Sequence, residues 1–358
     1  MKKLIQFELR KIFSKRLTQA ALIALFLLSV LLGFSTYQNM YAFDGKSRQG
    51  TGGTAVEIDK AIAEKYAGPL TDDKVQRMMI EFKPEQNLHG LNAAYLYQNA
   101  LQSALFRSFS DLDGNWNGLS VIDVYGMEEI QVGYTYGWLE TSQNMVRIFI
   151  VLSLVIAIMT APVFSGEYGG VDAILFTSKY GKTKCAAAKI IASILAALLV
   201  TTVVSAINLV YAFVLYGSSG LDCSILFAPA EFAWGYIPFN ITCGTLLKYQ
   251  ILLAFTGAVS TTGITLVLSA ACKKQMAAFV ASGAVYLFPV MLPVSETSPL
   301  FRIIALLPLY HAQFVSLMSV EQIRGNVLYA RMAVPAALLF MGAGAFISRR
   351  VFAGHQVS

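Results

Sequence analysis

A chain of 358 residues that is 56% hydrophobic and only 13% charged, with a mean hydropathy of +0.58, has too little polar surface to cover a soluble globule of its length. The formal net charge of +6 raises nucleic acid as a partner. That class is excluded because the basic residues stand in short groups beside apolar runs, the pattern of topology signals, and form no clustered face on a soluble domain.

The first sixteen residues carry Lys2, Lys3, Arg10, Lys11, Lys15 and Arg16. Ile5, Leu9, Ile12 and Phe13 fall on one helical face, away from Lys3, Lys11 and Lys15, so residues 1–16 read as an amphipathic elbow helix on the inner leaflet. An ordinary basic anchor without a defined helix is the other reading. A secretory signal is disfavoured, since no A-x-A-like cleavage site follows and the lead is long for a signal n-region.

A first transmembrane helix is expected over 17–38, with its apolar run at Leu17–Phe34. Residues 39–143 then form an acidic segment with fourteen Asp or Glu against eight Lys or Arg, read as a mostly helical extracytoplasmic domain. After the flexible stretch Ser47–Thr54, the capping-box spacing Thr54-x-x-Glu57 opens a helix that Gly68-Pro69 closes. A second helix carries Val75, Met78, Met79 and Phe82 on one face; a third runs through Leu88, Leu91 and Tyr95 towards Phe106. Residues 111–118 alternate Asp and Asn but lack the glutamate of a calcium loop, which leaves a plain turn.

Residues 144–348 form the membrane domain, with five further spans at about 148–166, 190–216, 249–271, 277–294 and 328–348, and a cytoplasmic tail at 349–358. Tyr134, Tyr136 and Trp138 are expected as outer-interface anchors of the second span, and Pro289 and Pro293 should kink the end of the fifth. The run Ile303–Val320 is interrupted by Pro308, His311 and Gln313. Parity argues against a seventh span there. With six, both termini and the basic groups at Lys179–Lys189, Lys273-Lys274 and Arg349-Arg350 lie in the cytoplasm of a multi-pass plasma-membrane protein.

Catalytic constellations are absent. His89, His311 and His355 are too far apart for a paired metal site, and His311 reads either as a hydrogen-bonded structural histidine or as a ligand or proton relay. Gly181-Lys182-Thr183 resembles the end of a phosphate-binding loop, but the glycine required five residues earlier is Phe176. The chain is therefore not read as an enzyme, and no cofactor or metal is assigned to it. Arg147, Lys248 and Arg331 sit near span ends, where their stems can reach the headgroups, so the spans lack the carboxylates of an ion-coupled transporter. Cys185 and Cys272 fall near the inner surface; Cys223 and Cys243 lie in the outer loop, where a disulfide and two free thiols both fit the spacing.

The charged, glycine-punctuated segment Val163–Lys189 follows the second span. Glu167, Gly170, Ile174, Leu175, Thr177, Ser178, Lys182 and Lys189 stand at the places where permease subunits of ABC-2 type transporters carry a glutamate, a glycine, a Leu-Leu or Ile-Leu pair, a Ser/Thr step, a basic turn and a lysine entering the third span. The proline common after the Ser/Thr step is Lys179 here. Over its whole length the chain resembles that family: basic elbow, one span, large external loop, five more spans.

The resemblance implies an all-α integral membrane fold with six transmembrane helices and an exporter of a peptide, lipid or drug-like substrate. The 165–189 loop would be a coupling helix seated on a separate cytoplasmic ABC ATPase, with ATP and Mg on that partner and a second permease subunit completing the unit in the lipid bilayer. Glu167, Gly170, Asp172 and Lys182 would form the coupling surface, with the elbow, Lys273 and Lys274 as secondary contacts. A solvated loop whose lysines only enforce topology is the plainer reading. An ATP-independent secondary transporter and a membrane-anchored sensor or immunity protein are the alternatives in function.

Overall fold

The structure, a computed structural model, describes residues 1–84, 91–126, 129–170, 177, 181–229, 240–295, 298–312 and 331–355. Among them, five helices are long and apolar enough to cross a membrane: Arg16–Asn39, Tyr136–Ser165, Gly181–Tyr216, Cys243–Ala271 and Ala333–Gly354. Among the described residues, strand is confined to two-stranded ladders and isolated bridges. The chain is thus a multi-pass, all-α membrane protein. It divides into two compact units: Met1–Ser29, Met145–Ile207 and Tyr249–Ser358 form the first, and Val30–Asn144 with Asn208–Lys248 the second.

Helix α1 (Lys2–Phe13) precedes α2 (Arg16–Asn39). Along α2, Leu17, Ile23, Leu27, Leu31 and Phe34 are exposed while Thr18, Leu25 and Ser29 are buried. That outward apolar stripe is what a helix against lipid presents. The short pair β1 (Tyr41–Phe43) and β2 (Gln49–Thr51), antiparallel with Tyr41 opposite Thr51, opens the second unit.

There α3 (Gly53–Lys65) starts from Gly52 with no side-chain cap, so the Thr54–Glu57 capping box is not formed, and the helix begins a residue before Thr54. It ends at Tyr66, ahead of β3 (Gly68–Pro69). Helix α4 (Asp72–Glu81) is capped by Thr71, whose hydroxyl accepts from the Lys74 amide. Its Val75, Met78 and Met79 are buried as the pattern requires, with Phe82 packed beside them.

The expected third helix does not run from Leu91: Leu91 and Tyr95 are exposed, and α5 (Ala100–Phe109) starts where Asn99 caps it by accepting from the Gln102 amide. Leu88 lies outside the described residues. Asp111 accepts from the amides of Asp113 and Asn115 and closes a turn, which holds its carboxyl below the usual range. Helix α6 (Val121–Tyr125) begins with a reciprocal Ser120/Asp123 capping box, and β4 (Gln131–Val132) pairs with β3. Leu101, Leu105, Phe106 and Phe109 meet Val75, Met78 and Phe82 in one core.

Helix α7 (Tyr136–Thr160) begins twelve residues before the expected span. Tyr134, Tyr136 and Trp138 are buried, and the Trp138 indole donates to the Ser219 carbonyl at 2.7 Å, so they pack inside the second unit and are not interface anchors. A four-residue helix α8 (Pro162–Ser165) follows, then a π-turn at Gly181–Cys185 that leads into α9 (Ala186–Tyr216). Helix α10 (Cys243–Ala271) opens six residues before the expected Tyr249.

The fifth apolar run forms α11 (Gln275–Leu287) and a 3-10 turn, Phe288–Met291, in which Pro289 ends the α-helical ladder. Together these are shorter than the five long helices. Helices α12 (Phe301–Ile304) and α13 (Pro308–Ala312) are brief; residues 313–330, part of the Ile303–Val320 run and the start of the last span, lie outside the described set. His311 is buried, with Nε2 donating to the Leu306 carbonyl at 3.0 Å and Nδ1 3.2 Å from the Thr256 hydroxyl. Both ring nitrogens are thus partnered, which fits the structural reading of this residue.

Helix α14 (Ala333–Gly354) continues through Arg349 and Arg350, which were expected in a tail. Its buried face is Ala333, Ala337, Met341, Gly344, Ser348 and Phe352. There it meets α10 at a pair of glycines. A Cβ on Gly263 would collide with the Phe340 carbonyl, and one on Gly344 with the Gly263 carbonyl, so the two backbones touch directly.

Candidate functional site

The segment that leaves the second span is shaped by one serine. Pro162 has no N–H, and the amides of Phe164 and Ser165 donate to Ser269 Oγ on α10 at 2.9 and 3.2 Å; that hydroxyl donates in turn to the Ala161 carbonyl at 2.6 Å. Ser269 is thus inserted into the helical ladder, which accounts for the break between α7 and α8 without stranding buried backbone groups. Gly166 follows, where a Cβ would strike the Pro162 carbonyl. Tyr168 donates to the Ala270 carbonyl at 2.7 Å and stacks on His355 with centroids 4.1 Å apart, and Phe164 packs on Phe352 at 4.9 Å. The start of the 165–189 loop is therefore tied to both α10 and α14.

Between these ties lies a buried charge cluster. Lys189, at the base of α9 and 0% exposed, donates to Glu167 at 2.6 Å and to both carboxylate oxygens of Glu8 at 3.0 Å. Lys11 also pairs with Glu167, and Lys15 Nζ donates to the Pro162 carbonyl at 3.4 Å. Burial alone would raise the Glu167 carboxyl, but Lys189 and Lys11 outweigh it and hold the group below its ordinary range. Lys15 is pulled down to about 8 by burial and by the neighbouring Lys11. Charges this deeply buried persist only when paired, so the cluster ties α1, Glu167 just beyond α8 and the base of α9 into one unit.

Of the residues expected to form the coupling surface, Glu167 is 2% exposed and points inward. Gly170 is exposed, with open space where a side chain would sit, and Lys182 is half-buried on the π-turn. Asp172 lies outside the described residues, as do 171–176 and 178–180. Lys273 and Lys274 are exposed between α10 and α11, on the rim of a separate groove. Cys223 and Cys243 are both buried and both free, with the Cys243 amide donating to the Cys223 carbonyl at 2.9 Å.

Sequence reasoning missed Glu8, Lys11, Lys15 and Lys189 as a set. The signal was there: Glu8 is the only acidic residue before Asp44, and it shares a helical face with Lys11 and Lys15. The buried face of α1 is centred on Glu8 and Ile12, while Leu4 and Phe7 are exposed. Among the described residues, no group of three His, Cys, Asp or Glu is placed to hold a metal ion. No family model matches the chain, and neither a curated protein nor a solved structure matches it.

Proposed function

We propose that the chain is the membrane-spanning permease subunit of an ATP-driven ABC-2 type transporter, an exporter of a peptide, lipid or drug-like substrate. It would carry six spans with cytoplasmic termini, pair with a second permease, and be driven through the 165–189 loop by a separate ATPase that binds ATP and Mg. One observation carries most weight: Glu167 and Lys189 bracket that loop and close on each other and on Glu8 and Lys11 of α1. A push on such a loop reaches α1, the foot of α7 and the base of α9 together, which is what force transfer requires. On that loop Gly170 is exposed and Lys182 half-buried. The test is co-purification of the tagged chain from gently solubilised membranes: an ABC-type ATPase should be retained. Its absence, with ATP-independent permeation, would overturn the reading.

A membrane-anchored sensor is the second reading. It draws on a cavity of about 140 Å³ in the second unit, lined in part by Lys60, Glu64, Tyr134, Asp222 and Cys223.

A further inference from the structure

A groove of about 420 Å³ opens in the first unit, where the start of α2, the α7–α8 break and the start of α11 come together. Its lining has two kinds of chemistry. Leu17, Ile158, Met276 and Phe279 are apolar, and Lys273 and Lys274 are cationic, with no acidic residue among the described lining residues. Lys15 adds a third cation beside it, since its ammonium touches Pro162 and would lie 3.3 Å from a Cβ on Gly166, both of which line the groove. Lys274 also stands at the N-cap of α11 without a capping hydrogen bond from its side chain, so the first amides of that helix add their partial positive charge.

Three cations and a helix start therefore meet no carboxylate among the described lining residues. Glu167 is turned inward and paired with Lys11 and Lys189. The apolar lining runs out onto side chains that are already exposed: Leu17 is 56%, Met276 63% and, one turn further on, Val280 62% exposed. A small soluble anion would satisfy the lysines and leave that lining bare. A protein face would cover the lysines without entering a slot between spans.

We propose that this groove is a binding site for one anionic phospholipid of the inner leaflet, with its phosphate held by Lys273, Lys274 and Lys15 and an acyl chain along Leu17, Met276 and Phe279. The basic side of the spans is the side where anionic lipids are concentrated, and juxtamembrane lysines are their usual partners. A volume of about 420 Å³ holds a glycerophosphate headgroup and the first part of a chain, and lies within the ~300–1,000 Å³ of ordinary ligand sites. The inference stands apart from the transporter reading, because it needs neither an ATPase nor a substrate.

The test is native mass spectrometry of the delipidated full chain in neutral detergent, titrated with phosphatidylglycerol or phosphatidylcholine. Phosphatidylglycerol should be retained at roughly tenfold lower concentration, and K273Q/K274Q should erase that preference while K273R/K274R keeps it. Excess inorganic phosphate should not displace the lipid. Equal retention of the two lipids, or a preference that survives K273Q/K274Q, would overturn the site. Displacement by phosphate would assign the groove to a soluble anion. Unchanged lipid retention with loss of a co-purifying ATPase would assign the lysines to a protein contact.

Discussion

Glu167 and Lys189 lie 22 residues apart in sequence, yet their charged groups meet at 2.6 Å with neither side chain more than 2% exposed. Lys189 also carries Glu8, so removing it leaves two buried carboxylates, of which Glu167 keeps Lys11 among the described residues. Lys189→Met should cost about 3–5 kcal/mol of stability, read as a lower melting midpoint in detergent. The exchange E167K/K189E should not recover it, because it sets a carboxylate against Glu8 and an ammonium against Lys11. A single variant that melts with the wild type would show that the cluster does not hold the fold.

The same cluster sets a pH response with two signs. The folded-state pKa of Glu167 is lowered, so its stabilisation is complete above the ordinary carboxylate range and is lost as pH falls through the lowered value. Lys15 is lowered from 10.5 to about 8, so its burial cost as an ammonium is present below pH 8 and is relieved between 8 and 10.5. Glu8, Lys11, Glu167 and Lys189 all face it. Relative to Lys15→Met, the wild type should gain stability across that alkaline window, measured by thermal melts at stepped pH. A constant difference between the two would refute the assignment.

Surface and interior roles in the 165–189 segment should separate by mutation. Lys182→Glu should weaken association with an ATPase partner by roughly fivefold while insertion and yield stay normal. Glu167→Lys should instead lower the yield of folded protein, because it places a third ammonium beside Lys11 and Lys189. Pull-down and size-exclusion profiles of the two variants, run side by side, tell these outcomes apart.

In the second unit, burial and then the neighbouring Asp222 push the Cys223 thiol up to about 12. At neutral pH it should hold roughly a thousandfold less thiolate than a thiol at the ordinary value, so maleimide should label it slowly in the folded chain and readily after unfolding. Rapid labelling of Cys223 in the folded protein would contradict this burial.

The long apolar helices were legible because hydrophobic length is a local property that tertiary packing does not rewrite, and α9 ends at the expected Tyr216. Helix starts were less so. α7 begins at Tyr136 and α10 at Cys243 because their first turns pack inside the second unit, where Trp138 finds the Ser219 carbonyl. Such partners are distant in sequence and leave no periodic trace. The Pro162 break was hidden for the same reason: a proline in an apolar run says that the ladder is interrupted, but only the fold brings Ser269 to repair it. Glu167 was found as a singular residue, and its burial was not, because the lysines that enclose it come from α1 and α9.

At Gly263 and Gly344, α10 and α14 touch backbone to backbone. Valine at either position should force the helices apart and lower the melting midpoint, by about 1–3 kcal/mol or more, and serine should be tolerated better than valine. Melting of each variant in detergent checks this; an unchanged midpoint for Gly344→Val would rule out the contact.

That contact also limits how the protein can move. Side chains between helices act as bearings that can change rotamer and let one rod slide or roll along the other; two bare backbones have no such layer. α10 and α14 therefore travel as one lever, and Tyr168, which is bonded to the end of α10 and stacked on the end of α14, is fastened to its tip. Any working motion of this half of the membrane domain has its pivots elsewhere.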